Sequence, residues 1–294
     1  MRVPVALLLG LTTASLLSPQ PTRSAERPRP SADDRAREAV VSALAAGGDI
    51  PGQARNLVEL AWPEKGKRDE AVATRARREL ANFGEHAIGP LRRALNSVKI
   101  EYTEEVMATV IGAQRMAPSL TQVEYLACAI DALWMGSHGA KVRAIEMIAE
   151  NRSPMVIGPM EDSAIDDPTL APLVIETLGT LRFAQARFYL EKVMMEGSPE
   201  LRPLAASSLA QIGGLALMPL KNALKAPSRD TRLLAARVLL PVATEYELGA
   251  LYEYLDKHGD DDPALSQSIK ALSVNIEKAI AARDASAAAA SPQN

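Results

Sequence analysis

Ala76-Arg-Arg-Glu-Leu-Ala-Asn-Phe-Gly-Glu-His-Ala-Ile-Gly-Pro-Leu-Arg-Arg-Ala-Leu95 and Ala205-Ala-Ser-Ser-Leu-Ala-Gln-Ile-Gly-Gly-Leu-Ala-Leu-Met-Pro-Leu-Lys-Asn-Ala-Leu224 align without a gap. They share Leu80/Leu209, Ala81/Ala210, Gly84/Gly213, Ala87/Ala216, Pro90/Pro219, Leu91/Leu220, Ala94/Ala223 and Leu95/Leu224. An internal repeat of this length describes a unit too small to bury its own apolar face, so neighbouring units must stack. The fold class that follows is all-α, a helical array of stacked units.

Within each copy the sequence marks where helices stop and start. The first helix of the unit ends at Gly84 or Gly213, where a residue without a Cβ adopts the left-handed conformation that closes a helix. Ile88, Leu91 and Leu95, and in the second copy Leu217, Leu220 and Leu224, then form a helical stripe. Pro90 and Pro219 fall near the start of this second helix, where a missing N–H costs little.

Between the copies the rhythm continues. Ile148, Leu178, Leu209 and Leu239 occupy comparable first-helix positions at a period near 31 residues, and Leu178-Gly179 resembles the helix end at Ile212-Gly213. Asp166-Asp167-Pro168 and Pro227-Ser228-Arg229-Asp230 punctuate units with helix-starting side chains. Helical runs over 104–116 and 120–135, separated by Pro118, fit the period less well. The last helix is expected over 263–281.

Upstream, Asp33 and Asp34 suit a helix start, Val40, Val41 and Leu44 share a face, and Gly47-Gly48 ends the run. A second apolar segment carries Leu57, Val58 and Leu60 to Pro63. The organisation read from these signals is a leader over 1–25, a Pro-rich linker over 26–32, a helical cap over 33–63, a repeat array over 64–283 and a low-complexity tail over 284–294.

Composition agrees with helices. Hydrophobic residues make up 47% of the chain and aromatics only 4%. Ala and Leu dominate the apolar content, whereas the β-branched and aromatic residues that favour strands are scarce. Residues 1–17 place Arg2 ahead of an apolar run that stays uncharged until Arg23, the pattern of a secretory signal peptide rather than a membrane span. Export to a periplasmic or extracellular location is expected, with no stable membrane span once the leader is cleaved. The formal charge is −3, and without Arg2 and Arg23 it becomes −5, which argues against nucleic acid as a partner. A single cysteine, Cys128, permits no internal disulfide.

The pattern Ala-x3-Leu-Ala-x2-Gly-x2-Ala-Ile/Leu-x-Pro-Leu-x2-Ala-Leu at 76–95, and its counterpart at 205–224, resembles HEAT repeats. The short period is similar to the subclass named after phycobilisome lyases, since the longer HEAT class repeats at about 40–47 residues. The resemblance covers about 68–255 in repeat character. It implies antiparallel helix pairs stacked into a curved α-solenoid whose second helices line the concave side, and it brings no shared catalytic residue. A few HEAT-repeat proteins have lyase or DNA-glycosylase activity. A glycosylase needs a basic groove and aromatic platforms, and Trp62 and Trp134 stand apart in sequence.

The chemistry-bearing residues give no enzymatic motif. His86, His138 and His258 are far apart, without a second His at ligand spacing. Asp256-Lys-His-Gly-Asp-Asp-Asp262 lacks the spacing and terminal Glu of a calcium loop and reads as a solvated turn. Neither Ser137 nor Cys128 has, beside His138, the orienting third residue that nucleophilic catalysis needs. The ten methionines are expected to fill gaps in the core. No catalytic residue, metal ligand or cofactor is assigned.

Charge is polarised along the chain. Residues 63–93 hold eight basic and five acidic groups, whereas 94–200 hold eight basic and fifteen acidic ones. Arg92 and Arg93, with Lys221 at the position matching Arg92, are the candidate contacts for an acidic segment of a protein partner. The function expected is an exported, non-enzymatic protein-binding scaffold; the alternatives are a HEAT-repeat enzyme, lyase-like or DNA glycosylase-like, or a structural assembly factor of an envelope complex.

Overall fold

The computed structural model describes residues 31–116 and 122–290. The expected signal peptide over 1–25 and residues 26–30 of the expected linker lie outside them, as does Pro118. Every regular element among the described residues is helical.

The cap comprises α1 (Ala32–Ala46) and α2 (Ile50–Ala61). Ser31, assigned to the linker from sequence, is already the N-cap of α1: its hydroxyl accepts from the Asp34 amide while the Asp34 carboxylate receives the Ser31 amide. Gly47 and Gly48 stop the helix as expected, Gly48 with φ +67°. Val40 is buried, but Val41 faces solvent.

The first repeat pairs α3 (Glu70–Asn82) with α4 (Glu85–Ser97), followed by α5 (Thr103–Met116), α6 (Gln122–Met135) and α7 (His138–Asn151). Then come α8 (Ile157–Asp166), α9 (Ala171–Leu181), α10 (Arg187–Glu196), α11 (Leu201–Ile212), α12 (Met218–Ala223) and α13 (Arg229–Leu239). The chain ends in α14 (Leu248–His258) and α15 (Pro263–Ala290). Residues 284–290 of the expected tail instead continue α15, as the high helix propensity of alanine allows, and 291–294 lie outside the described residues.

Contacts follow a regular order. α1 packs on α3, α3 on α5, α5 on α7, α7 on α9, α9 on α11 and α11 on α13, while α2 packs on α4, α4 on α6 and α6 on α8. Chain neighbours also pair, as α2 with α3, α6 with α7, α8 with α9 and α10 with α11. One connected apolar core runs from Val40 to Ile269.

The two aligned copies share backbone geometry as well as residues. The amide of Ala87 donates to Gly84 O at 3.1 Å, and that of Ala216 donates to Gly213 O at 3.0 Å. Both second helices therefore open with a tight turn, drawn as a 3-10 segment, Gly214–Leu217, in the later copy. Gly84 (φ +53°, ψ −126°) and Gly213 (φ +72°, ψ −170°) have the expected positive φ, but with ψ in a region open only to glycine rather than the left-handed helical well. Pro90 sits inside α4, just after its tight first turn, and Pro219 in the first turn of α12.

The period is legible in burial. Ile148, Leu178, Leu209 and Leu239 are all fully buried. Carbonyls of the first three accept the amide that closes their helix: Arg152 N to Ile148 O, Arg182 N to Leu178 O and Gly213 N to Leu209 O. Gly179, however, ends nothing. It lies inside α9, which closes at Leu181, and a Cβ there would stand 3.0 Å from Ser208 Cα on α11. The glycine permits close helix approach, and Ser208 Oγ donates across the contact to Ile175 O at 2.9 Å.

Candidate functional site

Two of the three basic residues singled out from sequence are engaged within the chain. Arg92, on α4, grips Asp131 of α6 with two nitrogens, Nε to Oδ2 at 2.6 Å and Nη2 to Oδ1 at 3.3 Å. Lys221 Nζ lies 3.6 Å from Oε1 of the buried Glu247, whose Oε2 accepts from the Thr244 amide and hydroxyl at 2.9 and 2.6 Å. Equivalent positions in two copies thus tie one unit to the next. Arg93 is exposed, lies over Gly89, and enters no ion pair among the described residues. The structure leaves Arg93 alone of the three open to a partner.

The densest polar cluster lies at the junction of cap and array. Glu105, on α5, receives Trp62 Nε1 at 3.0 Å, Arg68 Nη2 at 2.7 Å and Arg77 Nη1. Burial alone would raise its carboxyl, but the donors from Arg68 and Trp62 and the charge of Arg77 outweigh it and hold the group below the usual range. Arg68 also stacks over the Tyr102 ring at 4.7 Å, and its buried Nε has no hydrogen-bond partner. Arg55, Trp62, Arg68, Ser97, Lys99 and Tyr102 are among the residues lining a cleft of about 450 Å³ beside this cluster. The sequence offered Trp62 only as an isolated aromatic, because its partner lies 43 residues away.

Glu105→Ala strands three donors, and we expect it to cost about 2–3 kcal/mol, reduced by the partial exposure of the carboxylate. Because the folded group is held low, its contribution is present above pH about 4.5 and lost as pH falls through the folded value. Urea titrations at pH 7 and pH 3 check both: the gap between wild type and Glu105→Ala should narrow in acid, and an equal gap at both values would refute the linkage.

Cys128, His138, Ser137 and the acidic stretch 256–262 each pack, pair or cap within the chain. Cys128 is buried among apolar side chains, and burial, with the Asp131 carboxylate adding to it, pushes its thiol up to about 12, so it is no nucleophile. His138 Nδ1 meets Asp167 Oδ2 at 2.8 Å and Thr169 Oγ1 at 3.3 Å. Acid and hydroxyl share one ring nitrogen, so the imidazole cannot relay a proton between them. Ser137 is the N-cap of α7. The acidic stretch 256–262 is not a merely solvated turn. Asp261 accepts from the buried Arg232 at 2.8 Å, and Asp262 caps α15 and accepts from Arg237 at 2.9 Å. Among the described residues no three His, Cys, Asp or Glu side chains converge as a metal site requires.

The methionines correct a sequence expectation. Met107, Met147, Met160 and Met194 are core residues, but Met116, Met135, Met155, Met195 and Met218 are exposed. Phe188 and Leu215 are exposed as well, at 65% and 66%. Arg152 (φ +46°) and Arg182 (φ +58°), three and six residues before Met155 and Phe188, are the only non-glycine residues of positive φ among those described.

No known protein family and no curated protein matches the chain. Its function therefore rests on geometry. None of the described helices is long and apolar enough to cross a membrane.

Proposed function

We propose that this protein is an exported, non-enzymatic scaffold: a HEAT-like solenoid, with the phycobilisome-lyase type of short repeat, that binds another protein. The observation that carries the reading is the packing of alternate helices, α3 on α5, α5 on α7, α7 on α9, α9 on α11 and α11 on α13. Helix pairs stacked along one axis produce this order of contacts, and such arrays present a long surface made of many equivalent turns. The leader-like run over 1–17 supports export.

Crosslinking of the tagged full-length chain in its native cell, with N-terminal sequencing of the recovered protein, tests this. The expected result is a chain starting near Ala25, joined to one stoichiometric envelope protein. An intact Met1 with cytoplasmic or nucleic-acid partners would refute it. Arg93→Glu is the cleaner charge reversal for probing the basic segment, because Arg92→Glu also sets two carboxyl groups against each other across α4 and α6.

A further inference from the structure

We infer that the turns leading into α8, α10 and α12 form a docking surface for an extended acidic segment, bearing apolar side chains, of a partner protein. The inference rests on the scaffold reading and gives the partner a chemistry.

Val156, Ala186 and Ala216 are fully buried at intervals of 30 residues, which sets three consecutive turns in register. Around these anchors the exposed side chains are large and apolar: Met155 (72%), Phe188, Leu215 (66%) and Met218 (44%). The 3-10 turn Ala184–Ala186 touches the turn Gly214–Leu217, so two of the three are contiguous. Met is adaptable and polarizable, and is over-used on surfaces that accept varied apolar groups.

Cations frame this strip. Arg187 lies over the Phe188 ring at 4.6 Å. Arg152 and Arg182 close α7 and α9 at equivalent points, both exposed and both in the left-handed helical conformation. None of the three enters an ion pair among the described residues. At the corresponding turns of the best-matched copies the chain uses Gly84 and Gly213 for positive φ. A side chain at this conformation is less favourable than glycine, so two guanidinium groups are held here against local backbone preference.

Spacing defines the occupant. α7 packs on α9, and packed helices lie about 8–10 Å apart, so the helix ends that carry Arg152 and Arg182 recur at about that interval. Three residues of chain in the polyproline II conformation make one full turn and rise about 9 Å, so every third side chain returns to the same face. The complementary ligand carries a carboxylate at every third residue, with apolar side chains between them against Met155, Phe188 and Met218.

The probe is a fluorescein-labelled peptide of four Asp-Leu-Ser triplets, followed by fluorescence anisotropy with the full chain. The expected result is saturable binding that weakens with added salt, falls about tenfold or more in R152E/R182E and in F188S/M218S, and is absent for four Lys-Leu-Ser triplets. R152G/R182G guards against misfolding: it should raise the thermal midpoint and still lose the peptide. Binding unchanged in these variants, equal binding of the Lys peptide, or no binding of the Asp peptide overturns the inference. A wild-type dimer that F188S/M218S makes monomeric also overturns it, assigning the strip to a second copy. If the variants still crosslink to the cellular partner, this surface is wrong and the scaffold stands; if the wild type crosslinks to nothing, the scaffold reading itself fails.

Discussion

Leu209→Asp should unfold the array around α11. Leu209 is fully buried, contributes the carbonyl that closes its helix onto Gly213, and sits on the ladder shared with Ile148, Leu178 and Leu239. Truncating a buried leucine costs about 2–5 kcal/mol, and an uncompensated carboxyl in its place adds several more, even if it neutralises by taking up a proton. We expect more than about 5 kcal/mol in total, enough to exhaust the stability of an ordinary domain. Because each unit leans on its neighbours, limited proteolysis should cut first between α10 and α13 and later near the cap. Ser207→Asp, two residues away and exposed, is the control and should change the unfolding midpoint little. Equal stability of the two variants would mean that Leu209 is not a core residue.

Gly179→Leu should be the other severe change, and its sign is informative. In an exposed helix interior, replacing Gly with a better helix former gains up to about 1 kcal/mol. In α9 the new Cβ would lie 2.7 Å from Ser208 Oγ, 2.8 Å from its Cβ and 3.0 Å from its Cα, and the last cannot move without shifting α11. Separating α9 from α11 also stretches the Ser208–Ile175 hydrogen bond. Overpacking plus that loss amounts to about 3 kcal/mol or more. Gly158→Ala, whose Cβ meets nothing within 4 Å, should be neutral or stabilising in the same denaturation experiment. A stabilising effect of Gly179→Ala would show that the two helices are not held in close contact.

These two cases show which features local pattern reveals. Stop signals, apolar spacing and the two aligned copies suffice for the helix pairs, because such signals act over a few residues. A further copy is legible in the sequence: Ile157-Gly158-Pro159-Met160 matches Ile88-Gly89-Pro90-Leu91, and it places α8 in register with α4. Gly179 misleads, since a glycine that closes a helix and one that admits a neighbour look alike until the neighbour is known. The pairing of Arg92 with Asp131 spans 39 residues, and that of Trp62 with Glu105 spans 43, so neither leaves a local trace. The exposed methionines were hidden for a different reason: composition counts them but does not say which way they face.

Cys128 equips the chain with its own clock. It is the single thiol, it is buried in α6, and its raised pKa keeps it unreactive while the helices are closed. A thiol reagent can reach it only when the packing around α6 opens, so its labelling rate under native conditions measures how often that part of the stack breathes. Without any engineered probe, that rate separates variants that loosen the array throughout from those whose damage stays at one end.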